Sequence, residues 1–209
     1  GARANGDIVS ARKGITDYTI TIEGRAAHAG VEPETARNAL LEAAHKIIAI
    51  QALNGRWPDV TVNVGVARGG TRTNVVPERC VLQVDLRSPE LETLEAAEAE
   101  IERLCAESVV ADVSIVVAGE GWHRPMEKKE GGARLARLAV EVARDLGFEL
   151  RDAATGGASD ANTVSAAGTP TIDGLGPIGG DDHAPAEWLD LTSVVPRIQI
   201  HCSEAAPAL

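Results

Sequence analysis

The segment 179–185 contains the residue of this chain best suited to bind a metal. Its sequence is GGDDHAP, so two carboxylates precede the imidazole of His183 and a proline follows two positions later. Paired glycines let a backbone turn tightly and approach a metal, but even an open catalytic zinc site needs about three protein ligands. No His-x-Asp or His-x-x-x-His pair accompanies His183. Either His183 is an ordinary loop residue, or the chain is the second half of something larger.

A second histidine, His28, lies between small residues in the segment 24–30, GRAAHAG. The small neighbours leave the imidazole exposed and let the backbone approach another molecule. An imidazole in such a place can donate a hydrogen bond to a developing oxyanion. The alternative is a surface histidine near a turn, which is a common situation for this residue type.

Four further positions have polar or backbone groups that could form local structure or contact a ligand. Asn74 lies in the segment RTNVVP, where on local grounds it satisfies its own turn. Arg87 and Arg124 each carry a guanidinium that binds either a substrate carboxylate in bidentate fashion or a nearby glutamate. Gly157 belongs to a Gly-Gly pair before a predicted helix, whose free N–H groups can bind an anion or a polarised carbonyl.

The composition limits the classes of function. The 209 residues suffice for one large domain or two small ones. A formal net charge of −11 argues against nucleic acids and anionic membranes as partners, and the apolar runs are too short to cross a bilayer. The three cysteines form no C-x-x-C pair and are odd in number, so a reducing cytoplasm is the expected compartment.

Hydrophobic periodicity predicts the order β-α-β-β-α-β over residues 14–118. Strands are predicted around residues 18–22, 60–66, 82–86 and 113–117, with helices beginning near Pro33 and Pro89. The predicted apolar face of the first helix consists of Ala36, Leu40, Ala43, Ile47 and Ile48. That of the second helix consists of Leu91, Leu94, Ala97, Ile101 and Leu104, with glutamates opposite.

Residues 119–209 follow a different pattern, in which strands and helices alternate. A charged linker is predicted over 120–130, a helix over 132–146, a strand over 148–151 and another over 169–173. A helix capped by Ser159 or Asp160 lies between the two strands, and a closing helix begins at about Thr192. This alternation is typical of an α/β sheet, but two strands need neighbours that this chain does not contain.

Five motifs together resemble those of one family. HAG, TNVVP, DLR, TGGxSDA and GLGPxGGxxH follow one another along nearly the whole chain. In this order they resemble the zinc-dependent exopeptidase and deacylase family of glutamate carboxypeptidase, acetylornithine deacetylase and succinyl-diaminopimelate desuccinylase. The likeness is closest to the bacterial glutamate carboxypeptidase branch.

The resemblance implies an architecture. Residues 14–118 correspond to a ferredoxin-like βαββαβ dimerisation domain, and residues 119–209 to the C-terminal part of an α/β zinc-exopeptidase catalytic domain. The protein is then expected to be a homodimer with two zinc ions, or another divalent metal, in each complete subunit.

The resemblance also assigns roles to individual residues. His183 matches a metal ligand, and His28 matches a histidine that reaches the partner's active site and polarises the scissile carbonyl. The positions that match substrate contacts are Asn74, Arg87, Arg124 and Gly157.

The expected activity is hydrolysis of an amide next to a free carboxylate, in small peptides or N-acyl amino acids. The family's remaining metal ligands and its catalytic glutamate would lie upstream of residue 1. This chain alone is therefore expected to be inactive. The alternative is a non-catalytic dimerisation module that has lost the catalytic half.

Overall fold

The structure is a computed structural model that describes residues 4–181 and 184–205. It forms two compact units. The central unit consists of Gly14–Arg124, and the outer unit consists of the described residues before and after that range. Residues 119–124, placed in the second domain by the sequence analysis, thus belong to the central unit, whose last strand runs to His123.

The central unit contains a four-stranded antiparallel sheet with two helices on one face. The sheet has the order β3-β4-β2-β5, which together with the β-α-β-β-α-β sequence confirms the predicted ferredoxin-like fold. Its elements are β2 (Gly14–Glu23), α1 (Ala39–Gln51), β3 (Thr61–Gly69), β4 (Arg79–Ser88), α2 (Leu91–Ala106) and β5 (Ser114–His123).

The two faces of this sheet differ because side chains alternate along each strand. On β2, Tyr18, Ile20 and Ile22 are buried beneath the helices, whereas Asp17 and Thr19 are exposed on the other face. The buried residues of β4 and of both helices join the same core. The sheet therefore has one face covered by helices and one polar face, as antiparallel sheets commonly do.

Helix α1 begins later than predicted and turns a different face to the sheet. Pro33–Thr35 forms only a short 3-10 turn, and the helix starts after Asn38, whose side chain accepts hydrogen bonds from two N–H groups of the first turn. Leu40 and Ile48, predicted to face the core, are 42% and 71% exposed. Ala43 is buried and Ile47 packs against the core as predicted, so the apolar pattern placed only part of the face correctly.

The inner face of α1 includes a buried ion pair instead. Glu42 is fully buried, and its carboxylate accepts hydrogen bonds from the backbone N–H groups of Val109 and Val110 at 2.9 and 2.7 Å. Lys46 Nζ lies 3.1 Å from the same carboxylate and donates to the carbonyls of Leu104 and Glu107. These bonds attach α1 to the last turn of α2 and to the connection that follows it.

The outer unit contains a strand that the sequence analysis did not predict. β1 (Ile8–Arg12) pairs in parallel with β6 (Asp152–Thr155), which lies one residue beyond the predicted strand at 148–151. The predicted strand at 169–173 is absent from this described region, where only an isolated bridge joins Val9 to Asp173. The remaining elements are α3 (Glu130–Asp145), α4 (Asp160–Ala166), β7 (Gly179–Gly180), β8 (Trp188–Leu189) and α5 (Val194–Ala205).

Alanines form the buried face of α3. Ala136, Ala139 and Ala143 pack with Ile8 and Ile200 in the core of the outer unit. Leu135 and Leu138 are only half-buried and flank that face, and Leu146 is exposed. None of the described helices is both long and apolar enough to span a membrane.

Candidate functional site

The loops that contain His28 and Asn74 lie side by side at one end of the central sheet. A bridge joins His28 to Val75, and the N–H of Ala29 donates to the carbonyl of Asn74 at 3.0 Å. The N–H of Val76 donates to the carbonyl of Ala27 at 3.0 Å. Both candidate side chains are exposed. The fold therefore brings His28 and Asn74 together, although 46 positions separate them in the sequence.

The imidazole of His28 is oriented by its own loop. The N–H of Gly30 donates to His28 Nδ1 at 3.1 Å. A neutral imidazole has one acceptor and one donor nitrogen, so this hydrogen bond assigns the proton to Nε2. Nε2 of this exposed side chain is therefore the nitrogen that can donate a hydrogen bond to another molecule.

The start of this loop depends on a glycine at position 24. The N–H of Gly24 donates to the carbonyl of Glu78, and a Cβ at position 24 would lie 2.1 Å from the carbonyl oxygen of Arg37. No side chain fits at that distance. Gly24 therefore allows the segment after β2 to pass close to the residues before α1.

Arg87 lies at the other end of β4, on the polar face of the sheet. Its Nε donates to Asp85 Oδ1 at 2.9 Å, and its Nη2 donates to Asp85 Oδ2 at 3.0 Å. These hydrogen bonds raise the pKa of the guanidinium above its usual value. Arg87 thus has a carboxylate partner, although this partner is Asp85 of its own strand rather than one of the nearby glutamates. Its contact with substrate stays a prediction.

Arg124 lies at the same end of the sheet but bonds to the helical side. Its Nη1 lies 3.1 Å from Glu98 Oε2 on α2, and Glu98 also accepts a hydrogen bond from the Thr16 hydroxyl at 2.6 Å. The guanidinium is 44% exposed. Its role toward a substrate also stays a prediction.

The candidate residues of the central unit therefore form two groups. Residues 79 and 87 of β4 are eight residue steps apart, which corresponds to about 26 Å along a strand. His28 and Asn74 lie before the first of these positions, and Arg87 and Arg124 lie at the far end. One active site cannot easily contain all four side chains from a single copy of the unit.

Gly157 lies in the outer unit, where a buried arginine holds it in place. Arg12 Nη1 donates to the Gly157 carbonyl at 3.0 Å, and Arg12 Nε donates to Asp173 at 2.8 Å. The Ser159 hydroxyl donates to the same carboxylate at 2.6 Å. Burial would raise the pKa of Asp173, but hydrogen bonds from Ser159 and Gly174, together with Arg12, hold it below its usual value.

Arg12 is the residue that sequence reasoning missed at this site. Its side chain is 8% exposed, at the end of a strand whose other residues are mostly apolar. A charged residue in such a strand is a detectable signal, because a buried guanidinium must have partners. The helix after this turn begins as predicted, since Ser159 caps α4 in a capping box with Asn162.

His183 lies outside the described residues, so its predicted role as a metal ligand stays a prediction. Within 4–181 and 184–205, no three His, Cys, Asp or Glu side chains come together to hold a metal. These residues therefore do not by themselves fit a zinc site. The preceding glycines do not form the expected tight turn. They form β7, where a Cβ at Gly180 would lie 2.9 Å from the indole of Trp188.

Comparison with known proteins gives a consistent family match. Residues 10–113 match the family model described as a peptidase dimerisation domain. Carboxypeptidase G2 of a Pseudomonas species is 29% identical over 190 residues, which cover 88% of this chain and 45% of that protein. One of the subunits of the Escherichia coli p-aminobenzoyl-glutamate hydrolase is 41% identical over 73 residues, or 34% of this chain and 17% of that protein.

Solved structures agree with the fold. Aminopeptidase PepT from Bacillus cereus superposes with a TM-score of 0.82 at 25% identity, over 95% of this chain and 53% of that one. An aminobenzoyl-glutamate utilization protein from Klebsiella pneumoniae superposes with a TM-score of 0.70 at 22% identity, over 99% of this chain and 52% of that one. This chain thus spans about half the length of these relatives.

Proposed function

Because the chain belongs to the family of peptidases and amidohydrolases that contain this dimerisation domain, we propose that it forms the dimer and part of the active site of a metal-dependent hydrolase. The bond cleaved is an amide next to a free carboxylate, in a small peptide or an N-acyl amino acid. The names of the relatives support this class, since they include a carboxypeptidase and a p-aminobenzoyl-glutamate hydrolase.

The separation of His28 from Arg87 is the observation that carries this proposal. His28 presents its Nε2–H to solvent at one end of the sheet, about 26 Å from the end that contains Arg87. A donor this far from the rest of its own site is suited to the site of a second subunit. There it would donate to the carbonyl oxygen as negative charge develops, while Asn74 and the arginines bind the substrate.

One side of the central unit is suited to form the dimer. Leu41, Ala44 and Ile48 form an exposed stripe along α1 at helical spacing. α1 packs over β3, an edge strand whose outer backbone groups have no neighbouring strand in the sheet. An apolar stripe beside an open edge can pair with its own copy about a two-fold axis.

The family resemblance supports the choice of metal, and the free cysteines support the choice of compartment. Zinc, two ions in each complete subunit, is the proposed metal, with His183 as one ligand. Cys80, Cys105 and Cys202 are all free, which supports a protein of the reducing cytoplasm.

Mixed dimers test the cross-subunit role of His28. The gene product that contains this chain is prepared with two different tags, and a His28→Ala subunit is paired with a His183→Ala subunit. Hydrolysis of p-aminobenzoyl-glutamate is then measured. Loss of one oxyanion donor lowers turnover by about 10²–10³-fold, so the His28→Ala homodimer should be nearly inactive. The His183→Ala homodimer should also be nearly inactive, because it lacks a proposed metal ligand. The mixed dimer has one intact site and should recover about half of the wild-type rate.

A His201→Ala subunit, altered at an exposed histidine of α5, serves as the matched control and should behave like the wild type. A mixed dimer no more active than the two mutant homodimers would exclude the cross-subunit role. A wild-type gene product that hydrolyses neither N-acyl amino acids nor peptides would favour the non-catalytic dimerisation module instead.

A further inference from the structure

His45 lies within the exposed apolar stripe of α1 that is proposed to form the dimer. It follows Leu41 by four positions and precedes Ile48 by three, so its Cβ lies about 5–6 Å from each of theirs. Its side chain is exposed. Among the exposed residues of α1, His45 has the only side chain that ionises, because Glu42 and Lys46 are buried. The apolar stripe therefore contains one group whose charge depends on pH.

The imidazole of His45 has no counter-charge in the part of the chain that the structure describes. Within residues 4–181 and 184–205, its side chain forms no hydrogen bond and no ion pair. The two ionisable groups of the same helix are engaged with each other, since Lys46 Nζ lies 3.1 Å from the Glu42 carboxylate. A positive charge on His45 is therefore stabilised only by water, and a contact between two copies of α1 would remove that water.

The elements packed against α1 are β2, β3, β4 and α2. The charged side chains of the three strands lie on the polar face of the sheet, opposite to the helices: Asp17, Glu23, Arg68, Arg79, Asp85 and Arg87. The charges on the side of α1 belong to α2, which carries five glutamates and Arg103. Of these, Glu100 pairs with Arg103 and Arg56, and Glu98 pairs with Arg124. The surroundings of α1 are therefore acidic on one side, without an ion pair to His45.

We propose that the α1 contact accepts the neutral imidazole of His45 and rejects the protonated one, so that acidification separates the two subunits. This inference rests on the proposed function, because it takes the α1 stripe as the dimer interface. In a two-fold contact each stripe faces its own copy, so both imidazoles enter the same interface. Burial disfavours the charged form of an imidazole, and histidine is the residue whose charge ordinarily changes between pH 5 and 8.

The overall charge of the chain gives the proposal a test of sign. Each chain has a formal net charge of −11 with its histidines neutral, so two copies repel each other. Acidification reduces that net charge, and general electrostatics therefore predicts a tighter dimer at lower pH. The His45 proposal predicts the opposite: the separated subunits bind more protons than the dimer, so a fall in pH favours the separated subunits. A dimer that weakens on acidification is thus the signature of a specific group in the interface.

Sedimentation equilibrium of this chain near pH 8 and near pH 5.5, at constant ionic strength, measures the effect. The dissociation constant should be about 10–100-fold higher at the lower pH, because each of two excluded protons contributes up to about tenfold one pH unit below an ordinary histidine pKa. His45→Gln and His45→Leu should dimerise equally at both pH values. His45→Lys, which is charged at both, should already dimerise weakly near pH 8. His201→Gln, at an exposed histidine of α5, is the control and should keep the full pH response.

A dissociation constant that stays constant or falls on acidification would overturn the proposal. So would a rise that persists in His45→Gln and His45→Leu, because another group would then be responsible. Circular dichroism at both pH values verifies that each variant is folded, as expected for substitutions of an exposed side chain. A folded chain that is monomeric near pH 8 would overturn both the α1 contact and its pH dependence. A dimer that ignores pH would overturn only the role of His45, so the two proposals are judged separately.

Discussion

The two helices of the central unit cover the same face of one sheet and both bury apolar side chains there, yet only α1 also buries charges and exposes large apolar residues along its outer face. α2 turns Leu94, Ala97 and Ile101 to the core and glutamates to solvent. α1 turns Glu42 and Lys46 to the core and exposes Leu41 and Ile48. The outward faces show what each helix is suited to contact, because a charged face stays in water and an apolar face favours a partner.

The inward charges of α1 should have the largest effect on stability. Lys46→Met leaves the fully buried Glu42 carboxylate without its cation. Breaking a buried ion pair in this way typically costs about 3–5 kcal/mol, and the free energy of unfolding should fall by that amount in urea titrations. Arg103→Met, which removes an exposed cation from α2, is the control and should have a much smaller effect. Equal losses from both substitutions would mean that the buried pair of Glu42 and Lys46 contributes no more to the free energy of unfolding than an exposed cation does.

The outward apolar face of α1 should have the next largest effect, on assembly rather than on folding. Ile48→Glu places a charge on a residue that is 71% exposed, so the subunit should still fold. If this stripe forms the centre of the dimer, the dissociation constant should rise by about 100-fold or more, as for a substitution at an interface hot spot. Sedimentation over a range of concentrations measures it.

The matched control for that substitution is Glu95→Lys on the exposed face of α2. It should leave the assembly unchanged. If Glu95→Lys dissociates the dimer and Ile48→Glu does not, the interface lies on the α2 and β5 side of the unit.

The exposed ion pairs of α2 should have the smallest effect. Hydrogen bonds from Arg103 and then Arg56 lower the pKa of Glu100 to about 2. A carboxyl whose pKa is lower in the folded state than in the unfolded state stabilises the protein at pH values above the unfolded pKa, which is near 4 for a glutamate. That contribution is lost as the pH falls through the folded pKa of about 2. Glu100→Gln should therefore slightly reduce stability at pH 7 and have a smaller effect at pH 2. Urea midpoints at both pH values test this, and a large loss at pH 7 would contradict it.

The same comparison shows how far the sequence could predict the fold. Most of the predicted face of α2 follows from its apolar spacing, since Leu94, Ala97 and Ile101 are buried and only Leu91, at the first position of the helix, is exposed. α1 is apolar nearly all round, so spacing cannot choose a face. The choice depends on bonds from Glu42 and Lys46 to backbone groups at 104–110, and those contacts are distant in sequence. β1 was missed for a similar reason, since its partner β6 lies about 140 residues further on.

The candidate site could be predicted only as a set of separate motifs. The sequence indicated His28 and Asn74 individually, whereas their backbone pairing is visible only in the folded loops. It left two alternatives for Arg87 and Arg124, and in the structure both bond to carboxylates. Arg12 was not considered, because its partners Gly157 and Asp173 come from segments that the sequence does not connect to it.

The length of β4 has a consequence for how this unit could change during evolution. Under the proposed role of His28, the strands act as a spacer that sets how far its imidazole reaches. Deleting one residue from each strand would turn every following side chain to the opposite face of the sheet. Deleting two would preserve the faces and shorten the spacer by about 7 Å. The distance that the strands span can therefore change only in steps of two residues. Each step is larger than the length of a hydrogen bond, so smaller adjustments of the position of His28 must come from the loops at the ends of the strands.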